Sequence, residues 1–398
     1  MKRIYLDCAA TTPIDPRVLK TMTPYLRSVF GNPSSLHYEG IQAKNAIEQA
    51  RQKVAQLIAA KPEEIIFTSG GTESNNFALK GIFYQFPRGE YQIITSSIEH
   101  HAILEPCKFL ESLGCKVIYL PVDKDGLVDP EDVKKNLTSQ TILVSIMHAN
   151  NEMGTIQPIA EIADIIRNFR NSNQIPSASW RTKFPLFHTD AVQTAGHLPI
   201  NVNELGVDLL SMSAHKLYGP KGVGALYIKK GVKIKPFMHG GEQENNLRAS
   251  TENVPSIVGF GKAAELAKEN LEKEIKYLTG LRDDLINQLL SKIKNSRLNG
   301  HSVKRLPNNV NVSIEGIEGE AMLVSLDLKG IACSTGSACS SNILKPSHVM
   351  MALGLEPEIA HGSLRFTLGR FTRKSEIDLT VKILLPIIER LRKISPLY

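Results

Sequence analysis

The sequence predicts an α/β protein in which a mainly parallel sheet, covered by helices on both faces, precedes a smaller α+β unit. Three observations carry this. Short apolar runs alternate with helical periodicity through the first two-thirds of the chain, as a parallel sheet with crossover helices requires. Beyond about Pro255 that alternation gives way to one long helical stretch. With 398 residues, 42% hydrophobic and 22% charged, the chain is long and apolar enough for two folded units.

In chain order, helical periodicity covers about residues 41–60, where apolar side chains recur every three or four positions. The run Ile65-Ile66-Phe67 reads as a buried strand, closed by Gly70-Gly71 and followed by a helix from about Glu73. Further strands are expected at 93–94, 117–120, 142–146, 187–190, 209–212 and 224–228. The segment 171–185, with Pro176 and the only tryptophan, Trp180, lacks periodicity and is expected to form an exposed loop. A long helix over about 256–293 opens the second unit. A strand at 310–314, two short helices, a strand at 363–367 and a final amphipathic helix complete it. The expected division is a large domain over 15–255 and a small domain formed by 1–14 and 256–398.

Several function classes are disfavoured. No run of 18 apolar residues occurs, and Met1-Lys2-Arg3-Ile4-Tyr5-Leu6-Asp7 turns acidic before a signal-peptide core, so a cytoplasmic enzyme without a membrane partner is expected. The cysteines Cys8, Cys107, Cys115, Cys333 and Cys339 are odd in number and form no Cys-x-x-Cys, against a disulfide framework or structural zinc. The net charge of +7 comes from Lys and Arg dispersed among acids, the pattern of a solvated surface and not of a nucleic-acid site.

Chemistry concentrates at the ends of the expected strands. Phe187-His188-Thr189-Asp190 delivers a carboxylate at its carboxyl end, and Ser211-Met212-Ser213-Ala214-His215-Lys216 delivers an amine 26 residues later. An amine can bond to the aldehyde of pyridoxal phosphate, and a carboxylate can keep the pyridine nitrogen protonated. Thr68-Ser69-Gly70-Gly71-Thr72-Glu73 places two glycines between strand and helix, where backbone N–H groups and a helix N-terminus suit a phosphate. His100, after the strand at 93–94, is placed to stack on a planar ring and to move protons. Cys339 lies in Cys333-Ser334-Thr335-Gly336-Ser337-Ala338-Cys339-Ser340-Ser341-Asn342, a run with little side-chain bulk that leaves a thiol uncovered.

These motifs, with Tyr5-Leu6-Asp7-Cys8-Ala9-Ala10-Thr11-Thr12-Pro13, Gly31-Asn32-Pro33-Ser34-Ser35, His148-Ala149-Asn150-Asn151-Glu152-Met153-Gly154 and Ser213-Ala214-His215-Lys216-Leu217-Tyr218-Gly219-Pro220-Lys221-Gly222, resemble the cysteine desulfurases. Gly336-Ser337-Ala338-Cys339 is similar to the NifS/IscS group. The resemblance covers nearly the whole chain. It implies the pyridoxal-phosphate-dependent transferase fold type I, with a mainly parallel seven-stranded sheet, and a homodimer. It implies Lys216 as the Schiff-base lysine, Asp190 at the pyridine nitrogen, Gln193 at the ring hydroxyl and His100 over the ring. Gly71, Thr72, Ser213 and His215 would hold the phosphate, with Thr251 lent to the partner subunit's site. Asn151, beside the cofactor, and Arg365 would bind the substrate carboxylate, and Cys339 would take sulfur from L-cysteine and pass it to an iron–sulfur scaffold or another carrier protein.

The rival enzymatic reading is a selenocysteine lyase or related C–S lyase of the same fold, against which Cys339 speaks. A non-catalytic sulfur-relay protein is disfavoured by the joint presence of Lys216, Asp190, His100, Arg365 and Cys339.

Overall fold

The computed structural model describes residues 3–86, 89–172, 184–335 and 346–395. Twelve strands are present among them: β1 Ile4–Tyr5, β2 Ile65–Thr68, β3 Gln92–Ser96, β4 Lys116–Leu120, β5 Thr141–Ser145, β6 Leu186–Asp190, β7 Leu209–Ser213, β8 Gly224–Ile228, β9 Ser296–Leu298, β10 Asn309–Ile314, β11 Ile331–Ala332 and β12 Ser363–Thr367. The helices that matter below are α1 Tyr38–Leu57, α2 Gly71–Phe83, α3 His101–Glu111, α4 Val254–Lys292, α5 His348–Ala352 and α6 Lys374–Ile394.

Seven strands form one sheet in the order β2-β8-β7-β6-β5-β3-β4. Only β8 runs against its neighbours; the others are parallel in direction. This is the mainly parallel seven-stranded sheet of the expected fold class. All its strands except the edge strand β4 are buried throughout, and for that reason most read as apolar runs without alternation. One face packs Phe67, Phe187, Leu210 and Tyr227 under α1 and the start of α4. The other packs Ile66, Leu143, Leu209 and Leu226 under α2 and α3.

A second, antiparallel sheet has the order β12-β10-β9, and β1 pairs with β11 beside it. Its core joins Leu285 and Leu289 of α4, Val310, Val312, Phe366 and Leu384 of α6. At 39 residues α4 reaches about 58 Å and enters both cores. It lies tight on α1 because an added Cβ at Gly261 would stand 2.6 Å from Ala50 Cα.

The expected elements are recovered with small shifts: α2 starts at Gly71 where the apolar pattern suggested Glu73, and α4 starts at Val254. Between Ile314 and Ser363 three short helices are described where two were expected. Most of the segment 171–185 lies outside the described residues. Among the described residues no helix is long and apolar enough to cross a membrane.

Candidate active site

Strands β2, β3, β5, β6 and β7 share one direction and bring their carboxyl ends to one edge, where open α/β sheets bind ligands. A cavity of about 690 Å³ opens there. Its wall holds Gly71, Thr72, His100, Asn151, Asp190, Gln193, Ser213, His215, Lys216 and Arg365. Thr251 is exposed and does not line it. Cys339 lies outside the described residues.

Glycine sets the close approaches. Gly224 of β8 pairs with Thr68 on one side and Ser213 on the other, so the ends of β2 and β7 lie level with each other. A Cβ at Gly224 would stand 2.7 Å from Gly70 Cα, and one at Gly71 would stand 2.6 Å from Val192 Cγ2. Without those carbons the turn settles against β8, and α2 begins at the cavity wall with its unpaired first-turn N–H groups and its positive end there.

Asp190 closes β6. Its Oδ2 accepts from Asn75 Nδ2 at 2.6 Å and its Oδ1 from Val192 N at 2.9 Å, so two neutral donors fix the carboxylate. Lys216 sits one turn beyond β7 and donates Nζ to the carbonyls of Ala9 and Ala10 at 2.6 and 2.8 Å. Gln193 also donates to Ala9 O, at 3.1 Å. The segment around Ala9 is thus part of the cavity wall.

His100 caps α3: its Nδ1 accepts from Ala102 N at 3.0 Å. That bond occupies the Nδ1 lone pair and puts the neutral ring's proton on Nε2. Burial holds this imidazole below its ordinary pKa, with the Asp190 carboxylate opposing. His215 pairs through Nδ1 with Thr11 Oγ1 at 3.1 Å, and burial, helped by Lys216 and Lys221, lowers its pKa to about 4.

Arg365, on β12, faces this group from the other sheet. Nη1 donates to Asn151 O at 3.0 Å and Nη2 to Asp7 Oδ1 at 2.9 Å, while buried Nε has no hydrogen-bond partner among the described residues. The guanidinium fork is therefore already shared with Asp7, which a carboxylate ligand would have to join or displace. Beside it Glu152 is buried, with Oε2 accepting from Ser347 Oγ at 2.5 Å. Burial pushes its carboxyl up to about 7, against Ser347 and Arg365. Glu99, next to His100, accepts at Oε1 from Ser96 Oγ (2.7 Å) and Met147 N (2.9 Å), and burial pushes it up to about 8.

Asp7, Asn75, Glu99 and Glu152 were not singled out from sequence. Asn75 had a readable signal, since it lies three residues after Thr72 on the same helical face. The other three had none beyond their place inside motifs.

The groups present suit pyridoxal phosphate. A held carboxylate and an amine end neighbouring strands, and a helix N-terminus with Thr72, Ser213 and His215 forms a cradle that added Cβ atoms would fill. Among the described residues no group of three His, Cys, Asp or Glu side chains is placed to hold a metal.

Comparisons with known proteins agree with this geometry. Residues 4–380 match the family model described as aminotransferase class-V. The chain is 56% identical over 397 residues to "Cysteine desulfurase IscS" of Dictyoglomus turgidum, covering 100% of this chain and 97% of that protein. Among solved structures it is similar to a "NifS-like protein" (TM-score 0.89, 41% identity, 98% and 100% of the two chains). It is also similar to "SspA in complex with cysteine" (TM-score 0.80, 35% identity, 93% and 100% of the two chains). The chain belongs to the class-V aminotransferase family and is a pyridoxal-phosphate enzyme.

Proposed function

We propose that this chain is a cysteine desulfurase. It converts L-cysteine to L-alanine and keeps the sulfur as a persulfide on Cys339, for delivery to an iron–sulfur scaffold or another carrier. The observation that carries the reading is the gathering of Lys216, Asp190, His100 and Arg365 on one cavity. The naming of a relative 56% identical as a cysteine desulfurase supports it, as does the cysteine bound in a solved structure of the same fold.

Bound pyridoxal phosphate supplies an electron sink beside the substrate's α-carbon. Asp190 would hold the ring nitrogen and Gln193 the ring hydroxyl. Gly71, Thr72, Ser213, His215 and the start of α2 hold the phosphate. Arg365 and Asn151 would hold the substrate carboxylate and so orient the substrate toward Lys216 on the same cavity wall. Lys216 Nζ would take the α-proton and give one back to the α-carbon after the sulfur has left. His100 offers Nε2–H to the substrate sulfur. The Cys339 thiolate attacks that sulfur, the Cβ–S bond breaks with its electron pair on carbon, and the β-carbon takes up the proton that Cys339 gave away. One thiol and one cysteine thus become one persulfide and one alanine.

A homodimer completes the site through the partner subunit's Thr251. Exposed Thr251 supports this, as do Leu26, Phe30, Leu36, Tyr38 and Ile41, five uncovered apolar side chains within residues 26–41 that a second copy would bury. Separate apolar cores support two units, with Ile4 and Leu6 joining the second from Leu278 onward, while the start of α4 as far as Ala267 packs with the first. A reactive thiol that must stay reduced suits the cytoplasm.

The test is to incubate the loaded enzyme with L-cysteine, measure alanine and locate the added sulfur by mass spectrometry. Cys339→Ala is expected to abolish alanine formation while keeping the cofactor's visible absorbance. Full turnover by that variant overturns the assignment, and activity confined to selenocysteine replaces it with the lyase reading.

A further inference from the structure

Residues 243–251 carry four non-glycine residues at positive φ: Glu244 (47°), Asn245 (56°), Asn246 (63°) and Ser250 (101°). Residues with a Cβ rarely adopt that region, three in a row more rarely still, and such backbone persists where its surroundings impose it.

Two contacts impose it here, and both end on the turn assigned to the cofactor phosphate. The buried carboxylate of Glu244 accepts from Arg51 Nη2 and Nη1 at 2.7 and 2.8 Å, and its Oε2 also accepts from Phe67 N at 2.7 Å. Four residues on, Arg248 donates Nε to Glu73 Oε1 at 2.8 Å and Nη2 to Glu73 Oε2 at 3.2 Å. Glu73 Oε2 in turn accepts from Ser69 N at 2.8 Å. Phe67 and Ser69 flank Thr68, the last residue of β2, and Glu73 lies in the first turn of α2. The strained segment therefore grips the phosphate turn before and after its bend. Its other end is Ser250, whose N–H is tied back to Gln243 Oε1 at 3.1 Å, followed directly by the exposed Thr251.

We propose that Glu244 and Arg248 are positioning residues that couple the phosphate turn of one subunit to the loop it lends to the other, so that cofactor loading and subunit association strengthen each other. The inference rests on the homodimer reading, with Thr251 completing the neighbour's phosphate site. A phosphate that fixes the turn narrows the states open to Glu73 and Phe67, and through them the states of 243–251. Thr251 is then presented in one arrangement. Linkage makes the effect reciprocal: a docked neighbour orders the same turn for its own phosphate.

Sedimentation equilibrium of the full chain, with and without pyridoxal phosphate, tests this. For the native sequence, loading is expected to tighten association by about five- to a hundredfold, the span of ordinary coupled sites. Arg248→Gln and Glu73→Gln should each cut that to about twofold or less, with no further loss in the double variant, because both break one contact. Arg248→Lys should restore part of it. In the cofactor-free chain, Arg248→Gln should also speed amide exchange over residues 65–73, although the substitution lies in another peptide. A native dimer whose association ignores the cofactor overturns the coupling, and so does an Arg248→Gln variant with full linkage. A native chain that is monomeric in both forms overturns the homodimer reading itself, and that result is distinct because no association is then present to be modulated.

Discussion

The two walls of the cavity are held in different ways. On the large-sheet wall, Asp190, His100 and Lys216 rest on backbone groups and one neutral amide: Val192 N and Asn75, Ala102 N, and the carbonyls of Ala9 and Ala10. On the facing wall, Arg365 leans on the Asp7 carboxylate as well as Asn151 O, and Glu152 leans on a hydroxyl. Main-chain partners arrive with the fold and do not titrate. Side-chain partners can be protonated, substituted or drawn away by a ligand. The first wall is a fixed frame; the second adjusts to charge.

The largest effect should come from breaking the fixed frame. Lys216→Ala removes the amine, and among the described residues the only other lysine on the cavity wall is Lys108. Alanine production is expected to fall by about 10⁴-fold or more, with loss of the visible band of the lysine-bound cofactor. An unchanged spectrum would sink the assignment. Arg365→Lys tests the adjustable wall. A point charge replaces a planar fork that serves Asn151, Asp7 and the incoming carboxylate, so KM for cysteine should rise by about 10- to 100-fold with a smaller change in kcat. A change confined to kcat would move Arg365 out of substrate binding.

The smallest effect is a pH slope. Glu152 and Glu99 bind protons more tightly in the folded chain than at their ordinary value of 4.5, being pushed up to about 7 and about 8 by burial. The folded state then holds more protons than the unfolded one across that window, so stability falls as pH rises through it, by at most about 1.4 kcal/mol per pH unit for each group. Urea midpoints at pH 5.5 and pH 8 should therefore lie closer together in Glu152→Gln than in the native chain. Equal separation in both would show that Glu152 does not titrate there.

The same contrast explains what could be read from sequence. Strands, the Gly70-Gly71 turn, Asp190 and Lys216 were legible because each is a local pattern: an apolar run, two glycines, a polar residue at the strand's end. The partnerships on the adjustable wall were not, because they join residues far apart in the chain. Asp7 meets Arg365 across 358 positions, and Glu152 meets Ser347 across 195. Asn75 and Asp190, 115 apart, follow the same rule even on the fixed wall. Helix starts shifted by two residues where a turn, and not the apolar period, sets the boundary, as at Gly71. The strain in 243–251 left no trace in composition, since Glu-Asn-Asn is ordinary in any loop.

In the proposed reaction position 100 would carry two duties in one ring, the cap of α3 and a proton. Asparagine there could close the helix but has nothing that titrates near neutrality. Lysine could carry a proton but would leave the Ala102 amide bare. A variant at this site therefore loosens a helix while it removes an acid, so turnover lost on substitution must be weighed against the melting temperature of the same variant before any of it is credited to chemistry.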